Sequence, residues 1–230
     1  MKDAAVLAVN GEPHGTAIVA ERQTGGIGRH GHSWHSESLG GLYLSMVLRL
    51  QTAASPALTM ALGLAVQRSV DDLTGVTTDL RWPNDVMLNE RKLAGILVQS
   101  AEGGALIAGI GINVNQSSFP EDLAAIATSL KIETGKDHDK EALLNRVIAE
   151  SLRYAALPQP EIMRQFEERS TYVRGKQVTV DGRIKGVTAG LDSNGFLLLQ
   201  TDTGLQTILT GGLRAWPVGQ ISDLPSFLAS

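Results

Sequence analysis

The chain contains no cysteine. Disulfides, thiolate-held zinc, iron–sulfur clusters and a thiol nucleophile are thereby excluded, so chemistry must come from hydroxyls, amines, carboxylates, imidazoles or bound cofactors. Aromatic residues make up only 4% of the 230 residues, too few for an extended base-stacking platform. Positive charge is not in excess either. Twenty Lys and Arg face 24 Asp and Glu, and a net charge of −4 offers no chain-wide footprint for a nucleic-acid backbone. No apolar run approaches the ~20 residues of a transmembrane helix, and Asp3, Asn10, Glu12 and His14 stand where a signal peptide would be apolar. A cytoplasmic chain with neither membrane nor nucleic acid as partner is expected. Hydrophobic residues at 43% suffice for one large domain, or a large and a small one.

Residues 15–20 and 42–48 read as apolar strands, the second buried on both faces, with a glycine- and histidine-rich loop between them. Ser55 followed by Pro56 marks a helix start, and Leu58, Leu62, Ala65, Val66 and Val70 recur at helical spacing until Gly75. Residues 92–100 and 105–114 are apolar runs around Glu102-Gly103-Gly104, which predicts an antiparallel hairpin. Leu144, Val147, Ile148 and Leu152 define a helix that stops before Pro158 and Pro160, and a shorter helix is expected over residues 162–168. After Tyr172 come short strands over residues 177–180, 184–191, 196–200 and 205–209, broken by turn residues such as Asp181-Gly182. The expected fold is α/β (α+β): a mixed-sheet domain over residues 1–173 and a small β-barrel over residues 174–230.

Three segments could carry chemistry. In Gln23-Thr24-Gly25-Gly26-Ile27-Gly28-Arg29-His30-Gly31-His32-Ser33-Trp34 the glycines fit G-x-G-x-x-G, but a dinucleotide loop opens a helix and meets an acid ~20 residues on. Here Gly40, Gly41 and a strand follow. The glycines let backbone approach an anion, with Arg29 supplying charge; a plain glycine-rich connection is the alternative. The second segment, Arg81-Trp82-Pro83-Asn84-Asp85-Val86, follows a short strand and offers an aromatic face and an amide that can orient a heterocycle. Beyond it, Lys92 opens an apolar strand, where a cation is unfavourable unless an anion meets it or its head reaches water. In Gly109-Ile110-Gly111-Ile112-Asn113 the two glycines mark close approach by a backbone or a ligand, while Asn113 is a structural amide or a ligand contact. His30, His32 and His35 cluster, yet with Glu37 the only acid nearby they lack the ligand set of a metal centre, and no metal ligand is assigned.

Taken in order, these segments resemble the biotin protein ligases: the glycine loop with Gln23 and Trp34, then Arg81-Trp82-Pro83-Asn84-Asp85, then Lys92-Leu93-Ala94-Gly95-Ile96-Leu97, then Gly109-Ile110-Gly111-Ile112-Asn113. Ala127-Thr128-Ser129-Leu130 and the later Gly186, Gly190, Asp192 and Gly195 add to a likeness that covers almost the whole chain. The resemblance implies a biotin/lipoate ligase-like catalytic domain followed by an SH3-like barrel, of the type without an N-terminal DNA-binding domain. It further implies ATP-dependent attachment of biotin, through biotinyl-5′-AMP and with Mg2+ accompanying ATP, to a lysine of a biotin carboxyl carrier protein of acetyl-CoA carboxylase. Either a monomer or a homodimer fits. The competing readings are a lipoate or octanoate ligase or transferase of the same fold, and a non-catalytic biotin- or nucleotide-binding module.

By the same resemblance Lys92, Arg29 and Asp85 are catalytic. Lys92 would meet the biotin carboxylate and the developing phosphate charge, Arg29 and the backbone of residues 26–31 would close over the adenylate, and Asp85 would orient Mg2+ or the incoming amine. Gln23, Gly26, Ile27, Gly28, Arg29 and Lys92 are expected on biotin, and Arg29, His32, Trp34, Asn84 and Asn113 on the nucleotide. Two departures matter. Ile27 and His32 stand where the family loop Gly-Arg-Gly-Arg-x-Gly-Arg carries its first and last arginines, so a weaker hold on the anionic intermediate is expected. Residues 1–5 resemble those just after a Ser-Thr-Asn-like segment, so a first strand and two biotin-contacting hydroxyls either lie upstream of a start assigned too late, the favoured expectation, or have been lost from the biotin pocket.

Overall fold

The structure, a computed structural model, describes residues 1–31, 34–36, 40–50 and 55–216. Helix α1 (Lys2–Val9) has no side-chain cap and is held by Ala4 and Ala8, one turn apart, packing with Val47, Ala105 and Ile107. Strands β1 (Ala17–Ala20) and β2 (Gly41–Leu48) follow. Helix α2 (Pro56–Thr74) starts where Ser55 Oγ accepts the Leu58 N–H and ends at Gly75 with φ 75°. Strands β3 (Asp79–Arg81), β4 (Asp85–Leu88), β5 (Arg91–Ser100) and β6 (Leu106–Asn113) complete a six-stranded sheet of order β1-β2-β6-β5-β4-β3.

All pairings between these strands are antiparallel, which corrects the expectation of a mixed sheet. Among the described residues the parallel element is one isolated bridge, Lys92 to Ala127. The connections explain it. The β3–β4, β4–β5 and β5–β6 links are too short for a crossover, and α2 carries the chain from β2 to the far edge rather than to a neighbouring strand.

Leu42, Leu44, Met46 and Leu48 pair with Ile112, Ile110, Ala108 and Leu106, and this face packs under α2 and the later α5 (Lys140–Ala155). Each such side chain contributes about 1.5–3 kcal/mol by leaving water. All eight β2 residues are buried, in keeping with a strand covered on both faces. The two short helices before α5 are α3 (Glu121–Ala124) and α4 (Leu130–Thr134). After it, α6 (Gln159–Arg169) begins three residues earlier than expected, with Pro160 in the first turn, where a missing N–H has no helical partner to lose.

Strands β7 (Arg174–Val180), β8 (Ile184–Leu191), β9 (Leu197–Thr201), β10 (Gly204–Ile208) and β11 (Leu213–Ala215) form a second antiparallel sheet of order β10-β9-β8-β7-β11. Its edges β10 and β11 are not paired with each other among the described residues. Both sheets draw on one core, since Leu80, Phe166, Val173, Val178 and Leu197 lie in a single cluster. Trp82 belongs to it. The indole is buried and donates its N–H to Gly195 O at 3.0 Å, so the aromatic expected from sequence to face a heterocycle ties the two sheets together.

Candidate functional site

The face of the first sheet turned away from α2 carries an uncommon row of small residues. Register places Ala20, Tyr43, Gly111 and Gly95 side by side, and Ile18, Ser45, Gly109 and Leu97 in the next row. One row further, Val47 and Ile107 lie under α1. The first two rows, overlain in part by Trp34 and Met1, form the floor of a cleft of about 490 Å³, in the size range of small-molecule sites. Glycine is required there. A Cβ on Gly111 would lie 2.7 Å from Trp34 Cε2, and one on Gly95 would lie 2.9 Å from Trp34 Cζ3. The indole therefore rests against backbone, held from its own main chain by the Trp34 N–H donating to Gly26 O at 2.9 Å. Its Nε1 is buried without an acceptor among the described residues, which leaves a donor for a ligand.

Lys92 reaches the same floor through a bulge. Val86 pairs with Ala94 but Met87 with Lys92, leaving Leu93 without a partner on β4. The extra residue turns Lys92 and Gly95, three apart, to one face, where a Cβ on Gly95 would meet Lys92 Cε at 3.0 Å. The main chain of Lys92 is stapled, its N–H to Ile126 O at 2.8 Å and its carbonyl to the Thr128 N–H at 3.0 Å. Glu133 braces that staple by accepting from Thr128 Oγ1 at 2.5 Å and Arg91 Nη2 at 2.6 Å. At the tip, Lys92 Nζ lies 2.6 Å from Asp85 Oδ1 and 5.4 Å from the Trp34 ring centre. Arg81 Nη2 takes the other Asp85 oxygen at 2.7 Å. Burial alone would push the Asp85 carboxyl up, but Lys92 and Arg81 outweigh it and hold it below its ordinary value.

Arg29 closes the far side. Its guanidinium donates to Thr210 Oγ1 at 2.7 Å, Asn84 Oδ1 at 3.3 Å and Gly211 O at 3.5 Å. Burial lowers its pKa from the ordinary value against the pull of Asp85 and Asp181. Asn84 is docked on β5 by its side-chain N–H to Ile96 O at 3.0 Å. Arg29 also borders a second hollow of about 190 Å³ with Ser55, Pro56, Trp82 and Leu209.

Of the residues expected from sequence, Gln23, Gly26, Ile27, Gly28, Arg29, Trp34, Asn84 and Lys92 all line the 490 Å³ cleft. His32 lies outside the described residues. Asn113 is not brought to the cleft: its amide donates to Thr128 O at 3.0 Å and accepts from Gln116 at 3.2 Å, a structural use. Asp85 lies beside the cleft rather than in its lining, with one oxygen paired to Lys92 and the other to Arg81. Tyr43 and Ser45 line the floor and were not singled out in sequence, although their alternation with buried apolar residues in β2 is the signal that finds them. Thr210, remote in sequence, carries no local signal at all. Among the described residues no three His, Asp or Glu come together to hold a metal. No described helix is long and apolar enough to cross a membrane.

A glycine-floored cleft with a tethered lysine on one side and an arginine on a glycine loop defines an α/β protein built to bring anionic groups together. Comparison with known proteins agrees. The description "Biotin/lipoate A/B protein ligase family" matches residues 6–117, and "Biotin protein ligase C terminal domain" matches residues 174–212. The chain is 33% identical over 229 residues to the bifunctional ligase/repressor BirA of Bacillus subtilis, covering 93% of this chain and 70% of that protein. It is 33% identical over 208 residues to a biotin–[acetyl-CoA-carboxylase] ligase of Mycobacterium tuberculosis, covering 85% and 76%. The solved biotin protein ligase of Aquifex aeolicus in complex with biotin and ATP superposes with a TM-score of 0.81 at 36% identity, over 89% of this chain and 91% of that one. The chain belongs to the biotin/lipoate A/B protein ligase family, on its biotin protein ligase branch.

Proposed function

We propose that the cleft joins biotin to ATP and then passes the biotinyl group to a lysine of the biotin carboxyl carrier protein of acetyl-CoA carboxylase. A biotin carboxylate oxygen attacks the α-phosphorus, pyrophosphate leaves, and biotinyl-5′-AMP remains. The carrier amine then attacks the acyl carbon, AMP departs, and the nitrogen gives up its proton. The observation that carries this reading is Lys92 Nζ standing over Gly95, beside the Trp34 ring that lies on Gly111. A carboxylate and a phosphate oxygen ~4 Å apart repel by roughly 4 kcal/mol at an effective dielectric of 20, so a cation must stand between them. Lys92 takes that place. Arg29 and the backbone of residues 26–31 close over the adenylate and exclude water from an anhydride that would otherwise hydrolyse. Gln23 and Trp34 bound the biotin and adenine sides.

The described side chains form no cage for Mg2+, because Asp85 is engaged by Lys92 and Arg81; magnesium enters with the ATP phosphates. Residues 1–173 carry the chemistry and residues 174–230 the second unit. That sheet is read as an open SH3-like barrel, coiled by bulges near residues 174–177 and 188–190. The setting is cytoplasmic.

The test is pyrophosphate release. Release only when biotin and ATP are both present, with label passed to the carrier, is expected; transfer of lipoate or octanoate instead of biotin, or binding without release, overturns the proposal. Lys92→Ala is expected to abolish release. Arg29→Gly is expected to keep release but shed activated biotin onto bystander lysines.

A further inference from the structure

Building on the ligase reading above, we infer that the C-terminal sheet positions the cleft's arginine: Thr210, backed by a turn pinned on Asp181, seats the Arg29 guanidinium. Thr210 Oγ1 makes the shortest of its hydrogen bonds, 2.7 Å, across 181 positions of sequence, and Gly211 O lies at 3.5 Å. The seat is itself built. Asp181 Oδ1 accepts the Gly212 N–H at 2.7 Å, and the Asp181 N–H donates to Gly212 O at 3.0 Å. Gly211 between them has φ 136°, and a Cβ there would lie 2.5 Å from Val180 Cγ1. The turn is therefore one that glycine alone adopts without strain, and it presents an oxygen pair to a cation from the glycine loop. Asp181 adds a negative charge behind it, felt at Arg29.

A guanidinium on a glycine loop has many places to be. Fixing it at the seam of the two hollows it borders keeps its charge where an adenylate phosphate would stand, at no reordering cost when that charge appears. Thr210 is a positioning residue and touches no substrate in this scheme.

The experiment uses the full chain and Thr210→Val, which keeps the shape and removes the acceptor. Two readouts are taken. In the free protein, tryptic cleavage after Arg29 is expected to quicken roughly tenfold, the scale of one lost hydrogen bond to a charged group. In the presence of biotin and ATP, labelling of bystander lysines is expected to rise by about the same factor, with the ATP KM raised and kcat for pyrophosphate release little changed. Thr210→Ser restores wild-type behaviour in both. In an Arg29→Gly background, Thr210→Val adds nothing to the labelling. Unchanged cleavage after Arg29, or a labelling effect that persists without Arg29, overturns the inference. The cleavage readout does not depend on ligase activity, so a wild type that releases no pyrophosphate sinks the ligase reading while leaving this one to be decided by proteolysis.

Discussion

Asp85→Asn removes one charge from the site and keeps its shape. In the wild type the carboxylate faces Lys92 at 2.6 Å and Arg81 at 2.7 Å; in the variant both cations face a neutral amide. Two unit charges ~4 Å apart attract by about 4 kcal/mol at an effective dielectric of 20, before desolvation is counted. Side-chain exposures of 29% for Lys92 and 13% for Asp85 place the pair between the surface limit of about 0–1 kcal/mol and the buried limit of about 3–5 kcal/mol. A loss of about 2 kcal/mol follows from that placement, equivalent to a fall in Tm of about 4–8 °C for a domain of this size. The pH dependence has a definite sign. Asp85 is held below its unfolded value, so its contribution is complete above about pH 4 and disappears as pH falls through the lower folded value. Melting curves of wild type and variant should thus differ by a constant gap at neutral and mildly acid pH, and converge in stronger acid. Pyrophosphate release should fall by about a hundredfold at pH 7, because an untethered Lys92 is misplaced by an ångström or more. Equal Tm at neutral pH, or a gap that widens on acidification, refutes the assignment of Asp85 as the group that holds Lys92.

Gly111→Ala sets a methyl 2.7 Å from Trp34 Cε2, where carbon atoms rest at about 3.5–4.0 Å. The indole must lift, at a cost of about 1–3 kcal/mol, and calorimetry should show ATP bound at least about tenfold more weakly. Trp82→Phe deletes the donor to Gly195 O and should lower stability in urea by about 1–2 kcal/mol while pyrophosphate release is retained, since the ring is buried, lies outside the 490 Å³ cleft and only backs the smaller hollow.

Helix α2 was legible to within a residue because its boundaries are local chemistry: a serine that accepts an N–H, a proline that needs none, a glycine at positive φ. Strand β4 was not. Its hairpin to β5 turns through Asn89 at φ 49° and Glu90 at φ 62°, and a glutamate in that region gives no turn signal in sequence. Helix α1 was equally hidden, since two alanines and no cap make a helix only where a sheet face is waiting for them. In the site, Lys92 could be read as a cation in need of an anion, and the anion is Asp85, placed opposite by the same hairpin. Whether Asn113 served ligand or backbone could not be read, because an amide hydrogen-bonds either way until Thr128 O is seen beside it. The tryptophan of Trp82-Pro83 misleads for a related reason: residue type sets what a ring can do, and only packing sets which side it faces.

Between residues 25 and 31 Arg29 is the one permanently charged side chain, with Ile27 exposed and offering none. A loop with several arginines can hold an anion by attraction from many directions, and the placement of each then matters little. With a single guanidinium, the loop's own share of the field in the cleft, beside that of Lys92, depends on where that one group sits, and Coulomb energy falls with every added ångström. This arginine is tied to the first sheet through Asn84 in the β3–β4 turn and to the second through Thr210 in the β10–β11 link. Trp82 links the same two elements through Gly195, so the distance between the sheets is set by core packing rather than by the loop. The position of the loop's one guanidinium is therefore coupled to the joint between the sheets, through Asn84 on one side and Thr210 on the other.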